Sequence, residues 1–596
     1  MKISNEAQIR LDYFSSLYEN AVVAMGEAFE NLDRCMRQYR GSREIDGSNE
    51  EALTVRNITY EIVESQVSSD IPYPKTDPTS YSERRERNAE SIERLCRALR
   101  KRLPFGELND IDERYTYIYG GSVWYVEWEH DTEYMGEMGT VKIHCLSPRD
   151  FIPQPGISSV EDMEYCFLRF ITTKDEVMRR YDKTAEELEG CELAYESGMD
   201  IPERDAIALT VCFWRDEVGD VARYIFSGEV TLSDIPKFYH RKSLCCSVCG
   251  KEQSACKCDT PLLVQGDVER EVLEKDKLLR SGYTIPAVAP EVVDGHTVTV
   301  GGREKMKRTE IPYYVPKLFP IVIRKNTSAE GELYGQSDCD YIRPQQQAIN
   351  KIESRILQKL LRAGVTPIMP EDASISANNS VFGQVIRMKP GESPSQYGKV
   401  DTTPDISQDI AEAERLYDQA KRVVGISDAY QGIDTGFQES GIAKQLRISQ
   451  ARGRLDSKVK MKNYLYAALD RIIFGLYLAF ADEPRQLSYK DAFGRIHYAQ
   501  FNRYDFIEFD VKSGEYYYDD AYIFSADPSA SDANSREAMW QRNLENLKAG
   551  TLGDPQSPST LLRYWQCQER AHYPQARENV EYFTEAVNKE GGMLYG

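Results

Sequence analysis

The chain of 596 residues carries 74 Lys and Arg against 96 Asp and Glu, a formal net charge of -22, and is 41% hydrophobic and 11% aromatic. That length predicts about three to five packed units with ample core, and the apolar content excludes a wholly disordered or collagen-like chain. The acidic balance argues against a protein that grips nucleic acid over its whole surface, because affinity for phosphate grows with the number of Lys and Arg that displace counterions.

Residues 1–105 read as helical, with amphipathic runs at 8–38 and 82–102 separated by polar, turn-rich stretches. The opening MKISNEAQIRLDYF lacks the apolar stretch of a secretory signal. From Tyr115 the segments RYTYIYGGSVWYVEWE, TVKIHCL, CFLRFI and ALTVCFW are rich in β-branched and aromatic residues, the pattern of strands. A helix over 173–189 interrupts them, with Thr173 and Glu176 at capping-box spacing. A charged helix is predicted over 267–280, and strand again in YYVPKLFPIVIRK. The fold class read from this pattern is α+β.

Beyond Gly335 three helices are predicted, over 341–362, 405–424 and 441–480, the last with Ser440 placed as its N-cap. Ile349, Ile352, Ile356 and Leu360 recur at helical spacing on the first. Leu455, Val459, Tyr466, Leu469, Ile473, Tyr477 and Phe480 do so on the third. Its apolar run at 464–481 is interrupted by Asp470 and Arg471 and falls short of the ~18 uninterrupted apolar residues a spanning helix needs, so no membrane segment is expected. A compact strand-prone piece lies between the first two helices. Strands return over 504–523, then a hinge rich in Pro, Ser and Asp, then helices. Charge follows these divisions: residues 1–339 sum to -18, 340–481 to +3 and 482–596 to -7.

Of 13 cysteines, five crowd into 245–258 and the rest are scattered, which fits a reducing compartment rather than a disulfide scaffold. Cys246 and Cys249 form a C-x2-C pair, and Cys256 and Cys258 a second, tighter one. Four thiolates suit a closed, tetrahedral structural zinc (Zn2+) site, with Cys245 or His240 able to replace one member. No Walker sequence, H-E-x-x-H or G-x-S-x-G occurs, so no enzyme is predicted. Asp434-Thr435-Gly436 matches the tripeptide of aspartic proteases but stands in a polar loop without a paired site and reads as a turn. Glu107, Asp110, Asp112 and Glu113 read as a solvated face.

Lys351, Arg355, Lys359 and Arg362 form a basic stripe on the first of the three helices, and Asp405, Asp409 and Glu412 an acidic one on the second. Such stripes can fix registry between subunits or face a channel. The third helix carries Lys444, Arg447, Arg452, Arg454, Lys458, Lys460 and Lys462 in its first half, for DNA phosphates or acidic neighbours.

The order of these segments resembles the portal proteins of tailed bacteriophages. RNITYEIVESQVSSDIP resembles their early helix, IYGGSVWYVEWE their first wing hairpin, and LSPRDFIPQPGISSVEDMEYCFLRFITTKDEVMRRY their strand, Pro-rich turn and short helix. YGQSDCDYIRPQQQAINKIESRILQKLL resembles the Gly-x-Ser-Asp lead into the first stem helix, and DISQDIAEAERLYDQAKRVVGISDAYQGIDTGFQESGIAKQ the second stem helix, tunnel loop and start of the long helix. The resemblance covers 56–525. It implies a homo-oligomeric ring, a dodecamer, at one capsid vertex of the virion, assembled in the host cytoplasm, with double-stranded DNA as cargo. Its partners would be the terminase large subunit, the major capsid and scaffolding proteins, and head-completion or adaptor proteins.

Mapped here, 1–339 would hold the N-terminal helices and α/β wing, with 239–261 an inserted cysteine-rich element. Residues 340–362 would be the first stem helix, 363–401 the clip, 402–426 the second stem helix and 427–440 the tunnel loop. The long helix would span 441–481, wing strands and hinge 482–534, and the crown 535–596. Tyr430, Gln431, Asp434, Thr435 and Gln438 would face DNA. The competing reading is a zinc-containing nucleic-acid-binding enzyme of the nuclease or helicase class, which would need clustered His or carboxylate ligands or a P-loop.

Overall fold

The computed structural model describes residues 5–42, 55–134, 137–194, 206–246, 263–268, 270–274, 291–293, 296–298, 308–362, 365–368, 376–380, 383–387, 398–401, 405–426, 441–490, 496–510, 512, 514–527 and 533–570, with single positions and short runs over 573–587. Over these residues the fold is α+β.

Five helices and one strand open the chain: α1 Asn5–Ala24, α2 Gly26–Tyr39, α3 Ile58–Glu64, β1 Tyr73–Pro78, α4 Glu83–Arg102 and α5 Phe105–Tyr119. Two of these differ from the sequence expectation. The polar stretch before residue 82 holds a strand, because its backbone pairs with the distant β24, Tyr522–Asp527, along Tyr73 to Pro78. Residues 115–119, read as strand, finish α5 and bury Thr116, Tyr117 and Ile118 against neighbouring helices. Aromatic and β-branched propensity yields there to packing, and the strand starts after Gly120, whose left-handed φ of 86° ends the helix.

Two antiparallel sheets then form one core. β2 Gly121–Tyr134 pairs with β3 Glu137–Leu146 and with the later β15, Ile321–Lys325. A five-stranded sheet follows in sequence order: β4 Phe151–Pro153, β5 Tyr165–Thr173, β6 Ala206–Arg215, β7 Val221–Ser227 and β8 Val230–Ile235. Alternation along these strands assigns two buried faces. Leu168, Val211, Phe213 and Ile225 join Trp124 and Val126 in the main core, while Phe167, Cys212, Tyr224 and Phe226 receive Leu11, Phe14 and Ala21 of α1. Between β5 and β6 the helix α6, Lys174–Tyr181, is capped by Thr173 accepting from the Glu176 amide, as its spacing predicted. It stops at Asp182 in the left-handed region, short of residue 189.

The segment predicted as a charged helix over 267–280 is strand where described. β9 Arg241–Cys246 pairs with β10 Leu263–Val268, and β11 Arg270–Glu274 with β14 Arg308–Pro312. The short strands β12 Glu291–Val293 and β13 His296–Val298 pair with each other. A densely charged segment suits an edge ladder as well as a solvated helix, and periodicity alone does not separate the two.

The three predicted helices follow as α7 Asp338–Arg362, α8 Ser407–Val424 and α9 Gly441–Phe480. Between α7 and α8 lie two antiparallel pairs, β16 Val365–Ile368 with β19 Gly398–Asp401, and β17 Ser376–Ser380 with β18 Gly383–Arg387. The second half of α9 is apolar nearly all round and is correspondingly buried nearly all round. Leu465, Leu469, Ile473, Phe474, Leu476 and Phe480 lie in the main core, a wider set than one stripe, whereas Val459 of the predicted stripe is exposed.

The chain closes with β20 Arg485–Lys490, β21 Ile496–Phe501, a 3-10 turn at Arg503–Phe506, β22 Ile507–Asp510, β23 Glu515–Tyr518 and β24. Two helices follow, α10 Ala533–Lys548 and α11 Pro558–Arg570. Among the described residues no helix is long and apolar enough to cross a membrane.

Candidate functional site

Helices α7 and α8 pack as an antiparallel pair. Ile342 and Ile349 of α7 meet Tyr417, Ala420 and Val424 of α8, and further along Ile352 and Ile356 meet Ala413. Leu360, which continues the spacing, is exposed together with Leu361, because the partner helix has ended before it. The two charge stripes meet where the apolar seam runs out. Asp409 accepts from both Arg355 and Lys359, the latter at 2.5 Å. The hydrogen bond from Lys359 and then that from Arg355 hold its carboxyl below the usual range. These pairs form within one chain.

The other stripe members are placed differently. Asp405 accepts from the Ser407 amide at 2.9 Å and so closes the start of α8. Glu412 pairs with Arg415 of its own helix at 2.5 Å. Lys351 is exposed, and the side chain of Arg362 lies outside the described residues.

At the base of the pair is a feature that the sequence reading missed. Six charged side chains, none more than 9% exposed, meet where α5, β15, α7 and α9 converge. Arg324 of β15 binds Asp112 and, at 2.7 Å, Glu113 of α5. Lys462 of α9 lies 3.0 Å from Glu113. Lys458, one turn earlier, donates to both oxygens of Asp338, the first residue of α7, at 2.9 and 2.7 Å. Three cations thus face three anions, and neutral donors add further hydrogen bonds to the carboxylates. Trp124 donates to Asp112 at 2.8 Å, Tyr117 to Glu113 at 3.2 Å, and Gln66 and Asn326 to Asp338 at 2.8 and 2.9 Å.

Burial alone would disfavour the charge on Glu113, but Arg324 and then Lys462 outweigh it and hold the carboxyl below its ordinary value. For Lys462 burial wins, and its ammonium titrates below the usual lysine range despite Glu113. The charges of Asp112 and Glu113 were read as solvated because the cations that face them lie more than 200 residues away in the chain. Lys458 and Lys462, read as available to DNA or to acidic neighbours, face acidic neighbours.

The backbone around the cluster explains the Gly-x-Ser-Asp lead. The Gly120 carbonyl accepts from the Asn326 and Gly335 amides at 2.9 and 3.0 Å. A Cβ on Gly120 would lie 2.1 Å from the Gly335 carbonyl oxygen, and one on Gly335 2.6 Å from that of Thr327, so both positions need glycine. Ser337 donates to the Ile118 carbonyl at 2.6 Å and satisfies the end of α5. Asp338 then delivers its carboxylate to Lys458. The arrangement locks the root of α7 to the long helix and to the β2 sheet, and in a close-packed interior such a junction transmits displacement rather than absorbing it.

Tyr430, Gln431, Asp434, Thr435 and Gln438 lie outside the described residues, as do Ser440 and the cysteines Cys249, Cys256 and Cys258. Cys246 ends β9, opposite Leu263 of β10. Among the described residues no group of His, Cys, Asp and Glu is arranged to hold a metal ion. The side chains of Lys444, Arg447, Arg452 and Arg454 are likewise outside the described set, while Lys460 is exposed.

An antiparallel helix pair rooted beside a long helix, with small strand pairs at its far end, matches the segment order of phage portals. A model of the phage P22-like portal protein family matches residues 157–589. The chain belongs to this family. The match spans more than half of the sequence and runs through β5 to β8, β15, α7, α8, α9 and the C-terminal helices. No curated protein matches this portal protein.

Proposed function

We propose that this portal protein is the subunit of a dodecameric ring at one capsid vertex, and that double-stranded DNA passes through the ring's channel during packaging and ejection. The family match over 157–589 carries the reading. In it, α7 and α8 are the stem, the strand pairs within 363–401 form the clip, and 427–440 is the tunnel loop against DNA. The clip receives the terminase large subunit and later the head-completion or adaptor proteins, while the wing meets major capsid and scaffolding proteins. Assembly takes place in the host cytoplasm.

The ring has no catalysis of its own, and the energy of translocation comes from a separate terminase ATPase. A conduit must release its cargo, and each free cation on its wall would deepen a salt-dependent well for phosphate. Engagement of Arg355 and Lys359 by Asp409, and of Lys458 and Lys462 by buried carboxylates, supports such a role. Shortening the loop between Gln431 and Gln438 should reduce DNA retention in a packaging reaction while rings still form. Normal retention by the shortened ring would remove the tunnel-loop assignment.

We further propose a structural zinc on Cys246, Cys249, Cys256 and Cys258. The β9–β10 ladder supports it by setting the backbone of Cys246 opposite that of Leu263, so that the stretch carrying the other three cysteines begins and ends at one place. Thiolates are the donor set that structural zinc takes, and the ion would supply the cohesion that so short a loop lacks.

A further inference from the structure

A cavity of about 150 Å3 lies between the two sheets and α6, away from the paired helices. Its lining is rich in donors: Arg180 and Tyr181 from α6, Arg223 from β7, and Tyr125, Lys142 and His144 from the β2–β3 pair. Two carboxylates oppose them. Glu127 is taken by Arg180, and Glu176 accepts from the Thr172 hydroxyl at 2.8 Å. Lys142 pairs with Glu129 at 3.2 Å.

Arg223 is left over. Its side chain is only 16% exposed, its nearest carboxylate oxygen, on Glu127, is 4.0 Å away, and its Nε is buried with no hydrogen-bond partner among the described residues. The face of Phe238, 5.0 Å from the guanidinium, covers one side of the group but accepts none of its in-plane N–H bonds. A buried cation with unmade hydrogen bonds is costly, and a bound acceptor offsets that cost. Burial, with Lys142 adding to it, holds His144 neutral until about pH 4, so its ring adds no further positive charge at neutral pH. Arg180 and Lys142, each about half exposed, stand at the solvent side and leave a way in.

We propose that this cavity is a binding site for a small tetrahedral oxyanion of phosphate size, held by Arg223 at its floor and Arg180 at its mouth. Planar, bidentate guanidinium donors suit such an ion better than they suit water. The proposal is independent of the portal assignment.

The test uses the full-length protein in a phosphate-free zwitterionic buffer, with inorganic phosphate, sulfate and matched chloride as probes in calorimetric titrations. Phosphate and sulfate should bind about one per chain at sub-millimolar to millimolar concentration, and chloride should not. Arg223→Met should weaken phosphate by about tenfold or more, the loss expected for charge-assisted hydrogen bonds. Arg180→Gln, at the more exposed position, should weaken it less, and circular dichroism checks that each variant is folded. No saturable phosphate binding by the unmodified chain, or unchanged affinity in a folded Arg223→Met protein, would overturn the site. Should Arg223→Met fail to fold, unchanged affinity in Arg180→Gln would do the same.

Discussion

Arg324 joins β15 to α5 through two carboxylates, and Lys462 adds the long helix to the same point. Removing one member of a buried ion cluster leaves its partners charged and desolvated, which costs about 3–5 kcal/mol. Arg324→Met should therefore lower unfolding stability by that amount in urea titrations, and a loss under about 1 kcal/mol would mean that the carboxylates re-pair or take up protons. His144 offers a second residue-scale test. Burial first, with Lys142 second, lowers its pKa from 6.5 to about 4. The folded chain thus refuses a proton that the unfolded chain accepts. The associated stability is full above pH 6.5 and is lost as pH falls through about 4, by up to about 3 kcal/mol. Glu129 opposes this shift and Arg180 reinforces it. His144→Phe, which retains a ring against Tyr125 and Phe170, should flatten the stability profile between pH 7 and 4.5, and parallel profiles for the two proteins would refute the assignment. None of these pairings was legible in one dimension. An acidic run such as Asp110 to Glu113 looks like surface until the fold brings a cation to it, and here Asp110 does stay exposed and pairs with Arg114 while its neighbours are buried.

At the scale of elements, long periodic segments could be read from sequence and short ambiguous ones could not. The helix over 441–480 is legible because its apolar half is long. The capping box at Thr173 and Glu176 was likewise visible. Residues 115–119 and 267–274 were misassigned, since in both the deciding partner was remote: α5 is held by packing against α2, α3 and α7, and β11 by its ladder to β14. The β9–β10 hairpin is the element on which the zinc proposal stands. Mass spectrometry and metal analysis should find about one zinc per chain, and replacing Cys246 and Cys249 together should abolish it, because the remaining thiolates cannot close a tetrahedral site. Full-length protein purified without chelator that folds normally and carries no metal would end that proposal.

For the whole molecule, a net charge of -22 first argued against a grip on nucleic acid. The structure refines that inference. In the mildly basic block over 340–481, Arg355, Lys359, Lys458 and Lys462 are engaged inside the chain, on Asp409, Asp338 and Glu113, so these four cations are not free for phosphate. On the proposed function, the portal lets DNA slide and closes on itself around the duplex. Negative-stain microscopy of the purified full-length chain should show closed rings with a central hole about as wide as a DNA duplex, and a field of single chains under assembly-promoting conditions would rule ring closure out.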